Sequence, residues 1–157
     1  MMSANAYFQP KFLTAHLGAK AVNMTADTFK VGLIASGTLA ARGTTEGYEF
    51  VSDLLANGGS ALTEVSGTGY SRQNLASVSF TIVSGLIDTW TASNPSWSAA
   101  TFTAEYAWIH DETASSGTDA TRPLVAIYDF GGSQSVSGST FTLTVNASGL
   151  LTFTAAQ

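Results

Sequence analysis

Residues 102–110, Phe-Thr-Ala-Glu-Tyr-Ala-Trp-Ile-His, constrain the fold more than any other stretch of the chain. At a period of two, Phe102, Ala104, Tyr106 and Trp108 share one face of a strand, and Thr103, Glu105, Ala107 and Ile109 share the other. A strand covered on one side only alternates apolar with polar residues. Ala107 and Ile109 depart from that alternation and call for protein on both sides. The second cover is expected from either an N-terminal helix or another subunit.

Residues 124–130 have the same two-sided character, with Leu124, Ala126, Tyr128 and Phe130 on one face and Val125 and Ile127 on the other. The two segments are therefore expected to be antiparallel neighbours joined by a polar, exposed loop at 111–121. Other segments read as one-sided strands: Val78, Phe80 and Ile82 alternate with Ser77, Ser79 and Thr81, and Phe141, Leu143 and Val145 alternate with Thr140, Thr142 and Thr144. Further strands are expected over 28–35, around Trp90 in 87–91, and at Leu151, Phe153 and Ala155. Between them, 38–47, 92–98 and 131–138 read as loops or turns, and 146–149 as a hairpin connection.

Helical spacing occurs twice. Over 7–19, Phe8, Phe12, Ala15 and His16 form a stripe, with Asn5 as cap, Pro10 in the first turn and Gly18 at the exit. Over 48–55, Tyr48, Val51, Leu54 and Leu55 predict one or two turns of helix, stopped at Asn57-Gly58-Gly59. The segment Gly67-Thr68-Gly69-Tyr70-Ser71-Arg72 reads as a bend leading into a strand, anchored by the Tyr70 ring. The expected architecture is mainly β, a β-sandwich or jelly-roll-like domain over 7–157 with one N-terminal helix, preceded by a flexible arm at 1–6.

The 157-residue length favours one domain, and folding at this size buries roughly 70% of the unfolded chain's surface. The sequence contains no Cys, so no disulfide or thiolate metal site is available and packing alone must hold the fold. Charged residues are 11% of the chain, against roughly 25% in ordinary soluble domains. An outer surface of hydroxyl and methyl groups suits permanent contact, which favours a homo-oligomeric or otherwise assembled state over a monomer. The net charge is −5, and Lys11, Lys20, Lys30, Arg42, Arg72 and Arg122 are scattered, which argues against binding along a phosphate backbone. With no apolar run of membrane-spanning length and no signal-peptide pattern at the N-terminus, a soluble product made in the cytoplasm is expected.

Candidates for chemistry are few. His110 precedes Asp111 and Glu112, but His16 is remote in sequence, and the period-two rule puts Glu105 on the face opposite His110. A structural role is expected for His110. Among the carboxylates Glu105, Asp111, Glu112, Asp119 and Asp129 there is no recognisable catalytic pair. Glu105, on a largely buried strand, is expected to need Arg72 or Arg122 as partner in a salt bridge that sets register. No Ser stands in a Gly-x-Ser-x-Gly elbow, and Gly67-Thr68-Gly69 lacks the lysine of a phosphate loop. Trp90, Trp97 and Trp108 read first as core or interface residues and second as a platform for sugar rings. No catalytic, cofactor-binding or metal-binding residue is assigned, and no enzyme activity or cofactor is expected.

In order and spacing the chain resembles the small β-sandwich structural proteins of tailed-bacteriophage virions, of the head decoration or cement type. The resemblance is carried by Thr28-Phe-Lys-Val-Gly-Leu-Ile after the N-terminal helix, by Tyr48-Glu-Phe-Val-Ser-Asp-Leu and by Gly69-Tyr-Ser-Arg-Gln-Asn-Leu. It continues through the strand at 97–111 and Arg122-Pro-Leu-Val-Ala-Ile-Tyr-Asp-Phe-Gly. It implies a virion protein assembled in the host cytoplasm, with the major capsid protein as partner. Binding to the outside of the assembled head would reinforce it, with 1–6, 38–47 and 111–121 as candidate contact segments. The alternatives are a tail component in the tube, tip or a fibre, with tail proteins as partners, or a carbohydrate-binding β-module.

Overall fold

Short runs alternating apolar with hydroxyl residues form strands over about half of the described residues. A computed structural model describes residues 5–8, 22–39, 47–57, 61–82, 87–113 and 117–154. In order, the elements are β1 (Asn5–Phe8), β2 (Phe29–Ser36), α1 (Val51–Ala56), β3 (Thr63–Glu64), β4 (Gln73–Asn74), β5 (Ser79–Ile82), β6 (Ile87–Thr91), β7 (Ser96–Asp111), β8 (Leu124–Thr142) and β9 (Leu151–Thr154). The protein is mainly β and its strands pair antiparallel. One sheet runs β1-β8-β7-β2-β3, with β4 also on β2, and a smaller one runs β5-β6-β9.

The expected pair of two-sided strands is present as β7 and β8, with Trp108 opposite Ile127 and Ala107 opposite Tyr128. Both faces are covered, but strict alternation fails across two irregularities. Ala104 faces Gln134 while Tyr106 faces Asp129, so residues 130–133 are looped out opposite Glu105. Phe102 and Ala104 consequently pack in the same cluster as Ala107 and Ile109, whereas Tyr106 and Trp108 go to the other side. A bulge shifts the side-chain phase by one residue, so a period-two count is valid only up to it. A second irregularity, where Ile109 faces Ala126 and His110 faces Leu124, puts Val125 with Ala126 and leaves Leu124 with Ile127.

Residues 131–138, expected to turn the chain, continue β8 instead. Gly131 and Gly132 have φ of 73° and 145°, values that bend a strand sharply and that residues with a Cβ rarely adopt. Phe141 accordingly belongs to β8, opposite Trp97, and β7 starts within the stretch expected to be the 92–98 loop. The turn at 146–149 forms, with Gly149 N–H donating to Asn146 O at 2.8 Å, but it joins no hairpin. It carries the chain into β9, which pairs with β6 in the smaller sheet.

On one face of the large sheet, Phe29, Val31, Leu33, Ala107, Ile109 and Phe130 pack with Trp90, Leu143, Leu150 and Leu151. Trp90 meets Phe29 edge to face at 5.0 Å. Phe80 faces Trp90 across the small sheet yet is 38% exposed, because β5 lies at that sheet's edge while β6 is central. The expected one-sided burial of the 78–82 strand therefore does not extend to Phe80.

The opposite face is covered from within the chain. Val51 and Leu54 of α1, with Tyr48 and Leu62, pack on Ile34, Trp108, Leu124 and Ile127. Among the described residues the cover is thus the short helix after β2, a source not expected from sequence. The Asp53 carboxylate starts this helix by accepting the N–H groups of Glu49 and Phe50. Asn57 stops it in a left-handed conformation, φ 46° and ψ 39°, as the Asn-Gly-Gly signal predicts. Its buried amide donates to Thr38 O at 2.8 Å and accepts the Tyr48 hydroxyl. Asn57→Ala should lower unfolding free energy by about 2–3 kcal/mol through αL strain and lost hydrogen bonds, and Asn57→Gly by about 1–2 kcal/mol, measured by urea denaturation.

At the N-terminus, Tyr7 and Phe8 lie opposite Ile127 and Ala126 in β1, where a helix was expected to begin. Asn5, the expected cap, and Ala6, expected in a flexible arm, pair with Asp129 and Tyr128. The edge of β8 supplies hydrogen-bond partners to an extended segment, and local spacing of apolar residues does not report such an edge. Residues 9–21, the remainder of the expected helix, lie outside the described residues. Among the described residues, no helix is long and apolar enough to cross a membrane.

Candidate functional site

Charged side chains are scarce, and the fold gathers many of them around one buried indole. Trp108 is fully buried beside Gly32, its cross-strand partner. A Cβ at Gly32 would lie 2.2 Å from Trp108 Cζ2, so the ring occupies the space a side chain would fill. The Arg72 guanidinium sits 5.2 Å from the centre of the indole. Arg72 donates to both oxygens of Glu64 and both of Asp119, at 2.6 to 2.9 Å. Asp119 also accepts from Arg122 at 2.7 Å, and Arg122 donates to Glu112 at 2.8 Å. Lys30 is 3.4 Å from Glu112. Glu112 contacts His110 Nε2 at 3.1 Å, and His110 Nδ1 accepts the indole N–H of Trp108 at 3.2 Å. The contacts close a ring from Trp108 through His110, Glu112, Arg122, Asp119 and Arg72 back to Trp108.

Electrostatics follow from this ring. Hydrogen bonds from Arg72, and then from Arg122, outweigh burial and hold the Asp119 carboxyl down at about 2. Burial alone would raise Glu112, but its hydrogen bonds to Arg122 and His110 bring it below the usual carboxylate range. Burial pushes His110 down to about 4, with Arg72 and Arg122 adding to the effect against Glu112. Accepting from Trp108 requires Nδ1 to be bare, so Nε2 carries the proton and donates to Glu112. The imidazole is neutral and both ring nitrogens are engaged.

Tyr70 extends the network into the core. Its hydroxyl accepts the Leu33 N–H at 2.9 Å and donates to Glu64 at 2.8 Å, and burial drives its ionisation far upward. Its ring stacks on Trp97 and meets Phe102 edge to face, as expected for the anchor of the 67–72 bend. Gly67 lets that bend approach β7, since a Cβ there would lie 2.3 Å from Thr101 O.

Several sequence expectations change here. Glu105 is half-buried and accepts from Ser133 Oγ at 2.7 Å, whereas Arg72 and Arg122 pair with other carboxylates. The bulge beside Glu105 directs it to the looped-out part of β8, away from both arginines. Asp129 accepts the Gly131 N–H. Asp111 is fully buried and accepts the Thr113 N–H at 2.7 Å, and Glu112 and Asp119 turn into the ring, so the 111–121 loop is only partly an exposed surface. His16 lies outside the described residues. Among the described residues, no group of His, Asp and Glu is arranged to hold a metal ion. Trp90, Trp97 and Trp108 are at most 1% exposed. Their indole N–H groups donate to Met24 O, Ser71 O and His110 respectively. None of these three faces is available to stack on a sugar, which removes the basis offered for the carbohydrate-binding alternative.

Lys30, Glu64 and Tyr70 were not singled out as partners from sequence. The signal for Glu64 and Tyr70 was their closeness to Arg72 in the chain, since a buried arginine needs acceptors nearby.

With the charges drawn to one side, the far half of the β7–β8 ribbon is uncharged. Residues 96–104 and 131–142 contain no Asp, Glu, Lys or Arg. The outward positions Thr101, Thr103, Ser133, Ser135, Ser137 and Ser139 are exposed, and Thr103 and Ser135 share a hydrogen bond of 2.8 Å. Among the described residues, β8 beyond 130 pairs on one side only, with β7. Comparison of the chain with protein-family models, with curated proteins and with solved structures found no match.

Proposed function

We propose that this chain is a structural protein of a tailed-bacteriophage virion, most specifically a decoration protein that binds the outside of the assembled head and reinforces it. In this reading the two sheets are the layers of a β-sandwich, of jelly-roll-like kind, that acts as a rigid homo-oligomeric block. The observation that carries the reading is the exposed face of the ribbon at 96–104 and 131–142, made of Ser, Thr and Gly between buried apolar residues and without a charged side chain. A neutral hydroxyl surface has little charge to desolvate on contact and so suits a permanent interface. Binding the assembled lattice but not free subunits stabilises the lattice by mass action, and many copies multiply a modest affinity.

Quantitative mass spectrometry of purified virions tests the proposal. The expected result is a copy number at parity with the major capsid protein, or a simple fraction of it, with saturable binding to expanded capsids. Complete absence from virions would overturn the proposal. A handful of copies would favour a tail component in the tube, tip or a fibre. That second reading is supported by the pairing of β8 beyond residue 130 with β7 alone among the described residues, an edge of the kind to which a strand of a neighbouring copy would add in ring assembly.

A further inference from the structure

We propose that His110 is the release point of an acid-opened clasp that holds α1 and the 117–123 segment over the Trp108 face of the sheet. The inference is independent of where the protein acts and rests on the closed ring of contacts around Trp108. Its mechanical link to α1 is direct: Val51 N–H donates to Arg122 O and Ser52 N–H to Asp119 O. The side chains of those same two residues belong to the ring. Phe50 also bridges to Pro123, and Leu124 N–H donates to Glu49 O. The segment that seats the helix is therefore fixed to the sheet through Arg72, Glu112 and their partners.

His110 fits this ring in one protonation state. It has no exposed surface, and Nδ1 must accept from Trp108 while Nε2 donates to Glu112. A proton from solvent added at Nδ1 turns that acceptor into a donor facing the indole N–H, and the hydrogen bond is lost. The new charge also faces Arg72 from the 70–72 segment, Arg122 from the 117–123 segment and Lys30 from β2. Its available counter-charge is Glu112, already shared with Arg122 and Lys30, while Asp119 and Glu64 are engaged by Arg72. Asp111, the next residue on β7, has one carboxylate oxygen held by the Thr113 N–H. An imidazolium is relieved by swinging out of the ring, which parts Trp108 from the contacts at Glu112, Asp119 and Arg122.

The sign follows from the depressed basicity of the buried imidazole. The unfolded or opened state binds the proton from about pH 6.5 downward, and the closed state only near 4. The closed form is thus fully favoured above pH 6.5 and loses that advantage as the pH falls toward 4.

The test uses the full-length protein, 15N-labelled, between pH 7.5 and pH 4. The Trp108 indole resonance is expected to shift and lose exchange protection about tenfold or more as pH falls through this window. The indoles of Trp90 and Trp97 should keep their protection, as should amides in the β7–β8 pairing. The Val51 and Ser52 amides should follow Trp108. In His110→Gln, whose amide offers an acceptor and a donor but does not titrate, the step should vanish. A Trp108 signal unchanged to pH 4, simultaneous loss at all three indoles, or the same step in His110→Gln would overturn the proposal. If that variant does not fold, titration of the His110 ring nitrogens in the native protein decides: a midpoint shared with Trp108 supports the clasp, and a different midpoint refutes it.

Discussion

Gly32→Ala is expected to destabilise the protein by about 3 kcal/mol or more, at or beyond the upper end of ordinary overpacking. The added Cβ would fall inside the Trp108 ring, 2.2 Å from Cζ2 and 2.4 Å from Cη2. The indole cannot retreat easily. Its N–H is bonded to His110, Arg72 covers it, and Val51, Leu54 and Leu124 belong to the same buried cluster. The backbone of β2 cannot retreat either, being paired with β7 through six successive residues from Phe29 to Ile34. Chemical denaturation measures the loss. A second background separates the clash from any general intolerance of alanine in β2: in Trp108→Leu, which vacates the space, adding Gly32→Ala should cost less than about 1 kcal/mol. Additive effects of the two substitutions would show that the clash is not the cause.

Arg72→Met should cost about 2–4 kcal/mol at pH 7. Methionine keeps an apolar stem near Trp108 but leaves Glu64 and Asp119 without the guanidinium that accounts for most of their hydrogen bonding. The pH dependence is part of the prediction. Asp119 ionises in the fold at about 2, against 3.8 in the unfolded chain, with Arg72 as the largest cause. Its contribution is complete above 3.8 and disappears as the pH falls through 2, so native protein and variant should converge over that interval. Combining Arg72→Met with Glu64→Gln and Asp119→Asn should recover part of the stability at pH 7, because removing the whole set leaves less uncompensated charge than removing one member. Urea denaturation at pH 7 and at pH 3, where the gap should have narrowed without closing, checks both statements. An Arg72→Met variant with undiminished stability at pH 7 would mean that the ring contributes nothing as a unit.

Much of this fold was legible in local patterns. The pairing of 102–110 with 124–130, the strands at 28–35 and 87–91, the helical turns before Asn57 and the bend anchored by Tyr70 each follow from residues close together in the chain. Alternation, a left-handed Asn stop and an aromatic next to glycines are local signals. The demand for cover on both faces of β7 was likewise present in Ala107 and Ile109, although its source was not.

What local patterns lack is a record of interruption and of distant partners. Gly131 and Gly132 read as a turn, and only pairing of β8 with β7 on both sides of them makes them a bend within one strand. That same bulge, next to Glu105, exchanged the faces of Tyr106 and Ala107 and turned Glu105 from the arginines to Ser133. Phe8 belongs to a stripe of helical spacing but lies, with Tyr7, along the edge of β8, more than a hundred residues away in sequence. The ring around Trp108 has the same character. Composition determined that this chain has few charges, and the burial of Arg72 and His110 determined that they must be paired. Which carboxylate met which cation was decided when β2, β3, β7 with Glu112 and the 117–122 segment came together, because ion pairing depends on distance in space and sequence separation does not encode it.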